Sequence, residues 1–238
     1  MQRTQRLFHG STTQLTQLLL HTRAREMSRL PAAVINRFWF GAARSDVSVL
    51  TKPTKAQMSL WFGSKPEDDS TIISSFAEHH RATSEHYASS SREVDVRAIG
   101  LEQVISDIIT LDQFTRVIHR KTARAFGDDA AAAALARAAL RDDSFMREAS
   151  VLERMFVEMP LMHSEDVADH VALLRIRGFD EDFIDGVDPA GAYDDHAVQH
   201  FATIKRFGRY PHRNSVLGRE DTMEERSYLA QGARTYGQ

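Results

Sequence analysis

The sequence predicts an all-α fold built from short antiparallel helices. Three observations predict it. Apolar residues recur at spacings of three and four through nearly the whole chain. The alanine-rich run "DDAAAAALARAAL" is a strong helix former. No pair of alternating apolar and polar runs marks a strand hairpin. The 238 residues are enough to bury a sizeable core.

The first residues stand apart. "MQRTQRLFHGSTTQLTQLLLHTRAR" carries four arginines, six Ser or Thr, and no acid before Glu26. Leu15, Leu18 and Leu19 fall at helical spacing. This is the composition of a mitochondrial transit peptide. A loosely docked extension, or a start at Met27, reads the same residues more plainly. Residues 1–30 are therefore expected to be a leader or disordered extension, and 31–238 a single all-helical domain. The expected location is the cytoplasm or the mitochondrial matrix.

The helices follow in order. Pro31 is expected to open one through "AAVINRFWF" and Pro53 another through "TKAQMSLWF", since proline suits the first helical position. "PEDDSTIISSFAEHHRATSEHY" begins with acids that suit a helix N-terminus. In "GLEQVISDIITLDQFTRVI", Leu101, Val104, Ile105, Ile108, Leu111 and Asp112 form one stripe. Gly127-Asp128-Asp129 reads as a break with a capping aspartate before the alanine-rich helix. Further helices are expected at about 145–158, 164–177, 190–207 and 221–231. Residues 178–195 are acidic and turn-rich, the most loop-like stretch.

Composition narrows the function. The net charge is −3, which does not favour nucleic acid or an anionic membrane. Cysteine is absent, so disulfides, thiolate metal sites and a cysteine nucleophile are excluded. No apolar run approaches the roughly 20 residues that span a bilayer.

Three motifs carry candidate chemistry. In "LDQFTR", Asp112 lies on the apolar stripe and Arg116 one turn further along it. A buried carboxylate is tolerable only when paired. The pair is either a helix-internal staple or the floor of a polar cleft. In "MPLMHSED", Pro160 is expected to bend or break a helix. Ser164, Glu165 and Asp166 read as a helix start; His163 and Glu165 read alternatively as base and acid. No recognised metal-ligand spacing is present, so no metal is assigned. In "RFGRYPHRNSVLGRE", Arg206, Arg209, Arg213, Arg219, His212 and Asn214 crowd into fifteen residues. Planar guanidiniums suit carboxylate or phosphate. They either pair with internal acids or grip an anionic ligand, and a mixture is expected.

Five segments taken together resemble the domain-of-unknown-function 924 family: "RFWFG" (37–41), "LDQFTR" (111–116), "RKTARAFGDD" (120–129), "MPLMHSED" (159–166) and "RFGRYPHRNSVLGREDTMEE" (206–225). The resemblance runs from about residue 33 to 231. It implies a tetratricopeptide-like αα superhelix and no established reaction. It carries the family's polar positions onto Asp69, Asp112, Gln113, Arg116, Arg120, Asp129, His163, Ser164, Glu165 and His200. In the last motif it carries them onto Arg206, Arg209, His212, Arg213, Asn214, Gly218 and Arg219. The chain departs from the family pattern at Thr115, Val117 and His170, and lacks a tryptophan expected near residue 95.

Two functions are expected from these residues. In the first, Asp112, His163, Glu165, His200 and His212 converge as acid–base groups. Gln113, Arg116, Arg206, Arg209, Arg213, Asn214 and Arg219 then hold a small anionic molecule, with hydrolysis the simplest chemistry. In the second, the chain is a scaffold for a peptide or protein partner and the polar motifs are staples. Nothing in the sequence names a cofactor. Nucleic acid and membrane are not expected partners.

Overall fold

The structure is a computed structural model in which residues 29–41, 52–63, 65–89 and 94–232 are described. The expected leader falls mostly on residues 1–28, outside the described residues. Among the described residues every regular element is helical. No helix among them is long and apolar enough to cross a membrane.

Local chemistry sets the helix ends. Thr54 with Gln57, Ser150 with Glu153 and Thr222 with Glu225 each form a capping box. Asp95, Asp166, Asp180 and Asp195 accept from the backbone N–H groups of the turns they open. Pro31 and Pro53 sit just outside the helices Ala32–Phe40 and Lys55–Phe62 rather than at their first position. Asp128 occupies the expected cap before Asp129–Leu140 but does not cap. It accepts instead from His80 Nε2 at 2.9 Å and Ser84 Oγ at 2.6 Å.

The six stripe residues from Leu101 to Asp112 are all buried. Their helix is not uniform. Leu101–Ile108 is α-helical, Ile109–Phe114 forms a π-helical turn, and Thr115–Ile118 returns to α. π-turns are rare, and they re-aim the side chains they carry. Val151–His163 continues through Pro160 instead of breaking there. Proline costs a helix interior about 3 kcal/mol. Here Phe156, Val157 and Leu161, nearly unexposed, hold the helix in the core.

These two helices are the frame. Val151–His163 packs on Asp129–Leu140, on Val167–Ile176 and on Leu101–Ile108. Pro66–Ala88 packs on the π-turn, and Val167–Ile176 on His196–Phe207. Aromatic rings fill the space between. Phe156 lies 4.8 Å from Trp61 and 5.4 Å from Trp39, and Phe76 stacks on Phe114 at 4.9 Å.

A polar staple fixes the start of the described chain. Asp107, 1% exposed, accepts from Arg29, from the Tyr87 hydroxyl at 2.7 Å and from Gln103 at 2.8 Å. The Leu30 N–H donates to His79 Nδ1 at 2.8 Å, so His79 Nε2 carries the proton toward Thr110. Arg29 and Leu30 are thus tied into the helical body. An Arg29→Ala substitution would leave the buried Asp107 charge without its cation. Urea denaturation should then show a loss of roughly 2–3 kcal/mol, below the usual range for breaking a buried pair because two hydrogen bonds remain.

Candidate functional site

The π-turn, the end of Val151–His163 and the 206–219 segment meet at one polar cluster. Asp112 has no exposed surface. Its Oδ1 accepts from His163 Nδ1 at 2.7 Å and from Arg116 at 3.4 Å, and its Oδ2 from Gln113 at 2.5 Å. Burial opposes the charge, but His163, Arg116 and Gln113 outweigh it and hold the carboxyl down at about 2. The helix-internal Asp112–Arg116 pair is present, yet the shorter bond of Arg116 goes to Asp129 at 2.6 Å. Arg116 also donates to the Ala125 carbonyl.

Asp129 joins two cations. Its second oxygen accepts from Arg213 at 3.0 Å. The Arg213 guanidinium lies between the Phe126 and Tyr210 rings, at 4.4 and 4.5 Å from their centroids. Its Nε has no hydrogen-bond partner although it is buried.

Glu165 is not in a first helical turn. Ser164 ends Val151–His163, and Asp166 caps the next helix. The expected Ser164 cap is corrected on this point: its extended backbone, φ −63° and ψ 146°, carries the chain between the two helices. Glu165 is thereby released to take Arg219 bidentately at 2.7 and 3.0 Å and the Tyr210 N–H at 2.8 Å. These donors outweigh burial and lower its pKa. Arg219 Nε donates to Asn214, which donates to Asp221. Gly208 and Gly218, with φ 67° and 65°, take left-handed backbone at both ends of this segment.

Burial favours the neutral form of the other histidines in the cluster, His200, His212 and His170. His200 Nδ1 meets the Tyr210 hydroxyl at 2.7 Å, and that hydroxyl donates to the Met162 carbonyl. The His200 ring lies 6.2 Å from His163. Burial, with smaller contributions from the neighbouring His163, His170 and Arg213, pushes His200 down to about 2. Burial and then Arg213 push His212 to about 4, and burial does the same to His170. His170 Nε2 donates to the Ser164 carbonyl at 2.8 Å, which leaves its buried Nδ1 as a lone pair with no partner.

Asp112, Gln113, Arg116, His163, Glu165, His200, His212, Arg213, Asn214 and Arg219 are therefore brought into one network. Arg206 and Arg209 pair elsewhere. Arg206 binds Glu224 at 2.7 Å, and Arg209 binds Glu225 at 2.6 and 2.8 Å. Both tie the Met223–Ala230 helix to the body. Phe126 carried no signal in the sequence. Asp129 was marked only by the family resemblance, and the Tyr210 ring, set among the arginines of its motif, lies against Arg213. Among the described residues no group of three or more His, Asp or Glu is arranged to hold a metal.

The arrangement can fix one imidazole tautomer. Asp112 accepts the hydrogen bond from the Nδ1–H of His163, so Nε2 presents a lone pair. Nε2 has no protein partner among the described residues, and the side chain is 19% exposed. His200 and His212, with pKa values this low, are poor bases near neutrality.

Two outcomes follow for stability. His170, His212 and His79 have folded pKa values near 4 against 6.5 unfolded. The unfolded chain takes up their protons first, so their stabilisation is complete above 6.5 and lost as pH falls toward 4. Urea midpoints should fall across that window, and His170→Gln should flatten the slope. Separately, Arg219→Ala should cost about 2 kcal/mol of stability, while Arg206→Ala, at an exposed pair, should cost under about 1 kcal/mol.

The sequence and the structure were also compared with known proteins. Residues 35–233 match the family described as bacterial protein of unknown function, DUF924. A solved protein of unknown function from Agrobacterium tumefaciens is 31% identical. That match covers 79% of this chain and 97% of the other, with a TM-score of 0.61. No curated protein matches. With the LDQFTR, MPLMHSED and RFGRYPHRNSVLGRE segments meeting at one cluster inside the matched span, this chain belongs to the DUF924 family.

Proposed function

We propose that this chain binds a small anionic molecule at the face formed by His163 and Arg213, and that it hydrolyses that molecule with His163 as general base. One observation carries the reading: a buried carboxylate holds the Nδ1–H of a partly exposed histidine. That is how a carboxylate makes an imidazole directional. His163 Nε2 takes a proton from water as the water attacks the substrate. Asp112 stabilises the imidazolium that forms. Arg213 faces the developing negative charge, held in place by Asp129 and two aromatic rings. His163 and Arg213 are joined through Asp112, Arg116 and Asp129, which supports their working together.

A second reading, the tetratricopeptide-like interaction scaffold, is favoured by the internal pairing of Arg206, Arg209 and Arg219. Those three act as staples under either reading, so Arg213 and His163 are the residues to test.

The test pairs a thermal-shift panel with an assay. Phosphorylated and carboxylated metabolites are screened against the wild type, Arg213→Gln and Arg213→Lys. Chromogenic acetate and phosphate esters are assayed with His163→Asn. A ligand at about a hundred times its dissociation constant should stabilise the wild type by roughly 2.7 kcal/mol. That shift should vanish in Arg213→Gln. Hydrolysis should fall on the order of 10²- to 10⁴-fold in His163→Asn. A shift kept by Arg213→Gln removes the anion site. Hydrolysis untouched by His163→Asn removes the base.

A further inference from the structure

Arg206, expected among the ligand-binding residues, lies in a different cleft. The cleft has a volume of about 290 Å³. It runs between the 189–193 loop, the His196–Phe207 helix and the Met223–Ala230 helix. Its walls include Tyr193, Gln199, Thr203, Phe207 and Tyr228. It shares no residue with the His163 cluster.

The Arg206 side chain is arranged unusually for a surface cation. Its guanidinium carbon lies 4.8 Å from the Phe207 ring centroid and 5.7 Å from that of Tyr228. Those two rings are 4.9 Å apart. Nε donates to Glu224 at 2.7 Å, which fixes the plane of the fork. The two terminal nitrogens have no hydrogen-bond partner among the described residues. Glu224 is 58% exposed, so water screens much of its charge, whereas Arg206 is 29% exposed. A stacked guanidinium with both terminal donors unused matches the two oxygens of one carboxylate.

The rest of the lining selects the body of the ligand. Tyr193, Phe207 and Tyr228 offer ring faces and edges, and Ala190, Gly191 and Ala192 leave the loop side low. The Tyr193 hydroxyl accepts from the Asp188 N–H at 2.8 Å and donates to the Asp188 carbonyl at 3.2 Å, so this ring is held as a wall. A volume near the lower end for small-molecule sites suits one ring and its acid.

We infer that this cleft binds a small aromatic carboxylate, with the acid on the terminal nitrogens of Arg206 and the ring against Phe207, Tyr228 and Tyr193. The site is separate from the proposed hydrolytic cluster and stands or falls without it.

Benzoate is the probe, titrated into the full chain and followed by calorimetry and by ligand-observed NMR. Benzyl alcohol and cyclohexanecarboxylate serve as arms that lack the charge or the aromatic ring. Benzoate should bind in the millimolar range, in keeping with its few heavy atoms. Its dissociation constant should rise about tenfold or more in Arg206→Gln, where a charge-assisted pair is lost. Arg206→Lys keeps the charge without the fork and should fall between. Tyr228→Leu should weaken benzoate more than cyclohexanecarboxylate. Benzyl alcohol should not compete. Circular dichroism confirms that each variant is folded. No binding at tens of millimolar overturns the site. So does equal binding of benzyl alcohol, or binding untouched by Arg206→Gln.

Discussion

A carboxylate with no exposed surface must find its compensation inside the protein, and Asp112 organises much of this molecule in doing so. An unpaired charge at that depth would cost several kcal/mol. Asp112 draws donors from its own turn, from Arg116 one turn on, and from His163 across the helix interface. The π-turn and the continuation of the Val151–His163 helix through Pro160 both serve this meeting. Each is a local departure that an isolated helix would resist, and the core aromatic packing around Phe114 and Phe156 offsets them.

From Asp112 the network spreads by pairing. Asp112, Asp129 and Glu165 face Arg116, Arg213 and Arg219. The acids and guanidiniums balance in number, so the cluster does not attract by surplus charge. What it offers instead is direction: Arg213 Nε is an unused donor, and His163 Nε2 carries its lone pair outward. The neutral histidines fit that picture. They add shape and hydrogen bonding without upsetting the balance.

Much of the fold was legible because helices announce themselves through period and caps. The stripe from Leu101 to Asp112 placed a buried carboxylate correctly, since only the core side of a helix carries that spacing. The pairing of Asp112 with Arg116 was legible for the same reason. What was not legible depends on partners distant in sequence. Glu165 looked like a helix-opening acid until Arg219 and Tyr210 claimed it. Asp128 looked like a cap until His80 and Ser84 did. An acid near a helix start reads identically whether it caps, pairs or bridges, and only the tertiary neighbours decide. Arg206 and Arg213 belong to one short motif, yet Gly208 and the turn at Pro211 send them to different places.

The wall that completes the cluster is contributed late in the chain. Arg213, Arg219 and Tyr210 bind residues 45 to 84 positions earlier. During synthesis the helices carrying Asp112, Asp129 and His163 emerge well before their partners, and domains fold from the N-terminal side as they appear. For an interval of seconds the ribosome-bound chain holds three carboxylates and a histidine without the guanidiniums and phenol that close over them. The polar cluster is therefore complete only once the 206–225 segment has docked.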